Sequence, residues 1–496
     1  MANGTAKLTI DDFIKNNEVV KCIDSLKSAF PAGAKPLVVS DVVDGDNHQY
    51  VNLVQKGGGV LGIALVGYTY ILEEMGIRFI RLAGTSAGAI NTALMTVIGK
   101  KEDAKSTRVL DAICKLNFFD LVDGHPAARW IIRNFITHGD FSAKIKKWMT
   151  GIIATLIILL AGDFIFLGWQ HSVHWLSTVT MVLFIITGIF LLMAGVLIFY
   201  ILSLMKRLKN AGFGINPGDY FYDWIKKQLI DNGVKTVTDL QNKAAEDIPG
   251  LRLRVDHEDG LQGLKGDVTF ITSELVTQNK IQFPAMWNLF RNDIDSLQPA
   301  GFIRASMSIP VFFESYFIND IPQGEEMKRK WLDAFGIDTP PANARFVDGG
   351  ILSNFPINLF YNPKIITPRL PSFGIDLDDS RPGDSDPEPE NWSLLGYFGR
   401  MFNTIRFYYD KDFLLKNKVF QKGIGTIPLA GYNWLNFFLS DQDKIDMFVR
   451  GAKAATEFLM KFDWEGYKDE RKDMRKKLLR EHALDPSAAE NNLHNK

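Results

Sequence analysis

Ser86 sits among small residues in Gly84-Thr85-Ser86-Ala87-Gly88, the G-x-S-x-G spacing of a nucleophile elbow. A strand that turns sharply into a helix strains the residue at the tip and crowds its neighbours, so these must be small. A serine at such a helix start has backbone N–H groups aimed at negative charge developing beside it. The chemistry would be acyl transfer through a serine ester, which also needs a base and an oxyanion site. Gly57-Gly58-Gly59, with Gly62 following, is a candidate oxyanion loop, because N–H groups without side chains at a helix N-terminus bind anions. The same glycines could instead cradle a nucleotide phosphate. The P-loop form fails for want of a Gly-Lys-Ser/Thr ending. The dinucleotide form matches Gly57-x-Gly59-x-x-Gly62 but lacks an acidic residue after the next strand, where Leu82-Ala83-Gly84 stands. For the base, no histidine lies in an evident strand-end loop. Asp348-Gly349-Gly350 follows a strand candidate and leaves its carboxylate sterically open, but an Asp before two glycines is also an ordinary turn residue. Spacing alone leaves that choice open.

The elements around these residues alternate as an α/β sheet does. Val51–Val54 reads as a buried strand entering the glycine loop, and Ile63–Met75 as a helix stopped at Gly76. Arg78–Ala83 reads as a second strand entering the elbow, and Ala89–Ile98 as the helix leaving it. Further strands are expected at Asp267–Thr272, Arg345–Val347 and Phe373–Leu377, with a Pro- and Asp-rich loop over Asp378–Asn391. An amphipathic helix is expected over Asp443–Phe462, then a solvated charged tail.

Residues 149–205 break the pattern. Met149–Leu167 carries one charge, Asp163, and Leu176–Met205 carries none. Roughly 20 apolar residues span the hydrocarbon core of a bilayer, so both segments are long enough. Lys144, Lys146 and Lys147 precede the first segment, and Lys206, Arg207 and Lys209 follow the second. Positive charge at both outer ends predicts a transmembrane hairpin with both termini and the catalytic domain cytoplasmic, as in a bacterial inner membrane. The alternative is a buried helical hairpin in a soluble core. Asp163 is expected near the outer end of its span, within reach of the interface. A net charge of −1 provides no basic field for nucleic acid. Cys22 and Cys114 lack metal-ligand spacing and suit a reducing compartment, and the eight histidines form no zinc motif. No cofactor or metal is expected. The first ten residues contain no apolar stretch of the secretory-signal kind.

The order Gly57–Gly62, Gly84–Gly88, Asp348–Gly350 resembles the patatin-like phospholipase family, marked by a G-G-G-x-x-G loop, a G-x-S-x-G elbow and a distant D-G-G or D-G-A. Gly57–Leu94, Ile303–Pro310, Val347–Pro356 and, more loosely, Thr426–Leu459 carry the resemblance. It implies a three-layer α/β/α fold and a Ser–Asp dyad acting on lipid acyl esters. Ser86 would be the nucleophile, Asp348 the base and Gly57–Gly59 the oxyanion loop, with Gly62, Gly84, Gly88, Gly349 and Gly350 in support. Many relatives have Arg or Lys where this chain has Leu61, which bears on the choice of substrate. The domains expected are an extension (1–50), a catalytic domain in two parts (51–148 and 206–462), the hairpin between them and a tail (463–496). The expected function is a membrane-anchored hydrolase of phospholipid or other acyl-lipid substrates, with a regulatory protein partner as an open possibility. A lipid transacylase and a catalytically silent membrane scaffold are the alternatives, whereas two spans and one acid are too little for a transporter.

Overall fold

The computed structural model describes residues 8–484 except 32, 117, 127–128, 131–140, 170–173, 211, 363–364, 380–400, 402–403, 405–407 and 409. The chain divides into two compact units, one of Met1–Val122, Gly218–Pro310 and Ser315–Lys496, the other of Asp123–Pro217 and Val311–Glu314.

The first unit is built on a mixed ten-stranded sheet. Its parallel part runs β1 (Gln49–Gln55), β2 (Ile77–Thr85) and β3 (Asp267–Glu274) in one direction from β1. On the other side of β1 lie β5 (Ser372–Asp378) and β6 (Ile424–Pro428). Every residue of β1 is buried, and its polar side chains are paired there: Gln49 with the Leu37 carbonyl, Asn52 with Ser372 and Gln55 with Thr92. Helix α1 (Gly62–Glu74) follows β1, α2 (Ala87–Val97) follows β2, and α3 (Pro299–Ser306) packs on β3.

β4 (Ala344–Asp348) is antiparallel to β3, and its pairing decides the geometry of the site. Along one edge of β3, β2 ends with Thr85 opposite Ile271, and β4 arrives head-on with Asp348 opposite Thr272. The strand Asn279–Phe283 occupies the other edge over Phe270–Glu274. A strand has only two hydrogen-bonding edges, so β2 and β4 lie end to end on the same one. Two segments more than 250 residues apart thus terminate on adjacent residues of β3.

Two expectations change. Val42–Val43, inside the supposed extension, pairs with Gln49 and with Arg252–Leu253 and so adds to the sheet. The helix Trp464–Leu484 is not simply solvated, because Trp464 and Tyr467 bury their rings against Val419 and Phe420. The i, i+3 spacing of these two aromatics within a charged stretch makes one face apolar. Residues 485–496 and most of the Asp378–Asn391 loop lie outside the described residues.

In the second unit two long helices, α4 (Phe141–Trp169) and α5 (His174–Asn210), pack on each other. Lys146–Trp169 and Ser177–Tyr200 are long and apolar enough to cross a membrane, by length and composition. Their surface is inside-out for water: Phe164 is 80% exposed, while Asp163 is only 5% exposed and Thr180 and Thr187 are buried. Asp163 therefore points inward, not out to the interface as its position in the sequence suggested. Gly214–Asn216 pairs in parallel with Val311–Phe313 in the same unit.

Candidate active site

The strand, tight turn and helix expected around Ser86 are present. Ser86 has φ 53° and ψ −120°, the backbone of a tip residue between β2 and α2. Such a left-handed conformation costs a non-glycine residue about 1–3 kcal/mol and persists only where neighbours enforce it. Gly84 and Gly88 are two of those neighbours. A Cβ on Gly84 would strike the Gly88 backbone, and one on Gly88 would strike the Gln55 carbonyl.

The elbow is also held from below by residues that sequence reasoning did not assign. The Ser86 N–H donates to Ser306 Oγ at 3.0 Å, and that hydroxyl donates to the Ile271 carbonyl at 2.6 Å. Two residues further on, the Ser308 carbonyl accepts the Asp348 N–H at 2.8 Å. One short segment at the C-terminal end of α3 therefore ties down both strand ends. Thr272 and Ser273 donate their hydroxyls to the carbonyls of Val347 and Asp348, at 2.9 and 3.1 Å. Ser306→Ala leaves the Ser86 N–H and the Ile271 carbonyl buried without this partner, at about 1–3 kcal/mol for each group. A lower thermal midpoint, together with weaker labelling of Ser86 by an active-site serine probe, is the expected outcome; a variant that matches wild type in both would contradict it.

Asp348 is buried at the end of β4, and its Oδ1 accepts the Gly350 N–H at 2.7 Å. Gly349 is required by a close approach, since a Cβ there would meet the Ile271 carbonyl. The chain then runs through Ser353 to Phe355, which Asp410 clamps. Its carboxylate accepts the Ser353 hydroxyl and the Phe355 N–H, each at 2.8 Å. Burial pushes the Asp410 carboxyl above its ordinary range, and these two donors pull it back in part.

The clamped segment positions the glycine loop. Gly57 N–H donates to the Asn354 carbonyl at 3.0 Å, and Asn354 Nδ2 donates to the Gly57 carbonyl at 3.1 Å. Gly57 is thereby corrected as an oxyanion donor, because its N–H is already bonded to the Asn354 carbonyl. The N–H groups of Gly58 and Gly59 have no acceptor among the described residues, and Gly59 opens a short 3₁₀ turn leading to Gly62 and α1. Lys56, just before the loop, pairs with Asp376 at 2.6 Å and donates to the Leu377 carbonyl at 2.8 Å.

These pieces surround a cavity of about 330 Å³ lined by Ser86, Asp348, Gly57, Gly58 and Gly59. Leu61, Ile309, Ile351, Leu377 and Trp434 make its remaining wall largely apolar. Among the described residues no group of His, Cys, Asp and Glu could hold a metal ion.

A model of the family described as patatin-like phospholipase matches residues 53–361, more than half of the chain. A Bacillus subtilis (strain 168) protein, YqhO, named as uncharacterized, is 25% identical over 416 residues, covering 84% of this chain and 100% of that one. Among solved structures, VipD from Legionella pneumophila aligns with a TM-score of 0.36 and 13% identity, over 88% of this chain and 73% of that chain. A likeness of that size carries no argument about this chain.

Proposed function

We propose that this chain, which belongs to the patatin-like phospholipase family, is a membrane-anchored lipid acyl hydrolase working through Ser86 and Asp348. The observation that carries the reading is the end-to-end meeting of β2 and β4 on β3, which delivers both side chains to one cavity. Ser86 Oγ attacks the ester carbonyl while Asp348 takes its proton. The carbonyl oxygen becomes an oxyanion and is met by the N–H groups of Gly58 and Gly59, at the entry to α1, where the helix dipole favours negative charge. Collapse expels the alcohol, which receives the proton from Asp348. Water, deprotonated by the same carboxylate, then attacks the acyl-enzyme and releases a fatty acid and free Ser86.

The apolar wall of the cavity suits an acyl chain, each methylene of which is worth about 0.8 kcal/mol on burial. Leu61 contributes to that wall, so the missing cation of the glycine loop is replaced here by acyl-binding surface. The hairpin supports the membrane part of the reading, with apolar residues outward, polar ones inward and basic residues at both outer ends. Two cytoplasmic ends follow from that charge pattern. Anchoring in the layer that contains the substrate raises its effective concentration.

Detergent-purified protein incubated with mixed phospholipid vesicles should release free fatty acid, and Ser86→Ala should reduce release at least about a thousandfold. Equal release by both proteins would refute Ser86 as nucleophile. Free fatty acid as the product, rather than a newly acylated lipid, separates hydrolysis from transacylation.

A further inference from the structure

A second cavity, of about 470 Å³, lies far from the first along the same strands. Asn52 on β1 pairs in register with Arg81 on β2 and with Ser372 on β5, and all three line it. This row crosses the middle of β1 and β2 and the N-terminal end of β5, whereas Ser86 and the glycine loop lie beyond the C-terminal ends of β1 and β2.

Its composition is unusual for an interior. Arg81, Arg369 and Arg471 all line it, and each donates to backbone carbonyls. Arg81 donates to the carbonyls of Lys265, at 3.1 Å, and of Gly263. Arg369 donates to the carbonyl of Gly260, and Arg471 to that of Ile365 at 3.3 Å. The Arg471 guanidinium lies against two rings that meet edge-to-face, 4.9 Å from the centre of Tyr361 and 5.0 Å from that of Phe420. Arg369 and Arg471 are only 7% and 5% exposed. Arg471 Nη1 and Asn52 Oδ1 are buried without a hydrogen-bond partner among the described residues. A buried guanidinium donor is costly to leave unpaired, so it marks a place where an acceptor belongs. Burial lowers Arg81 and Arg369 from the ordinary arginine range; Arg369 adds to the lowering of Arg81, while Asp267 opposes it and Asp259 opposes that of Arg369.

We propose that this cavity binds a phosphate group, carried either by free orthophosphate or by a small phosphorylated molecule such as a lipid headgroup fragment. Among the described lining residues, three guanidiniums set against one carboxylate, Asp259, leave a formal charge of 3 − 1 = +2. A phosphate group carries about −1.5 to −2 at neutral pH and presents oxygens to several planar donors at once, whereas a single carboxylate supplies half that charge. The volume exceeds what orthophosphate alone needs and falls in the range of small-molecule sites. The proposal stands apart from the reaction at Ser86 and does not depend on it.

Isothermal titration of the full chain in non-ionic detergent tests it, with sodium phosphate, sn-glycerol 3-phosphate and, at matched ionic strength, sodium chloride. Saturable binding of a phosphate compound, weakened at least about tenfold in Arg369→Gln and in Arg81→Gln, is the expected result. Tighter binding of glycerol 3-phosphate assigns a headgroup source, and tighter or equal binding of orthophosphate assigns the free ion. Heats no larger than those of chloride, or equal affinities in wild type and both variants, overturn the site. Should a variant fail to fold, phenylglyoxal modification of the unaltered chain reads the same cavity: phosphate should protect Arg81, and an unprotected Arg81 overturns it.

Discussion

Asp348→Asn should lower fatty-acid release roughly a thousandfold while leaving the protein folded, because it removes a proton acceptor and little else. Asn Oδ1 can still accept the Gly350 N–H that Asp348 Oδ1 accepts at 2.7 Å. The backbone ties of residue 348, its N–H to Ser308 and its carbonyl to the Ser273 hydroxyl, are untouched by the change. The free energy of chemical unfolding should therefore change by no more than about 1 kcal/mol. Asp348→Ala gives a useful contrast, since it loses activity and also the Gly350 interaction, and should unfold earlier. If Asp348→Asn retained most activity, another group would be the base and the dyad would be wrong.

Replacing Phe141–Asn210 by a short Gly-Ser linker should move the protein from the membrane pellet to the supernatant after ultracentrifugation. On the proposed reading the effect should be nearly complete, because two helices of 24 residues, each long and apolar enough to cross a membrane, would make insertion effectively irreversible, whereas a single lipid chain or amphipathic contact does not. The hairpin belongs to the second compact unit, and the residues around the candidate site belong to the first. Hydrolysis of ester substrate dispersed in detergent micelles should accordingly survive the deletion. Persistence in the pellet after the deletion, with the protein folded, would show that other surfaces anchor it.

The parts legible in the sequence were those whose constraint is local. The elbow needs small residues within two positions of Ser86, and β1 shows itself through Val51, Leu53 and Val54, so both are written in neighbouring residues. The parts that were not legible act across long separations. Ser306 reaches Ser86 from 220 positions away, and Asn354 reaches Gly57 from 297. A serine two positions before another serine carries no signal of its own until the register of β2, β4 and β3 is known. The same register explains why Gly57 was overread: a glycine beside an oxyanion loop looks like its neighbours until its N–H is found paired. The helix after Asp463 was misread because its charges outnumber the two aromatics that bury it. Asp163 was placed by its distance from the end of its span, whereas the packing of one helix on the other governs which way it points. Asp410 gave no sign at all, since its partners at Ser353 and Phe355 lie more than fifty residues back.

The most direct measurement is peptide mass spectrometry on protein quenched with acid during turnover of a phospholipid ester. The account predicts a fatty-acyl group on the peptide that contains Ser86, absent from Ser86→Ala and from protein given no substrate. Fatty acid released steadily with an acyl group on another residue, and none on Ser86, would contradict it.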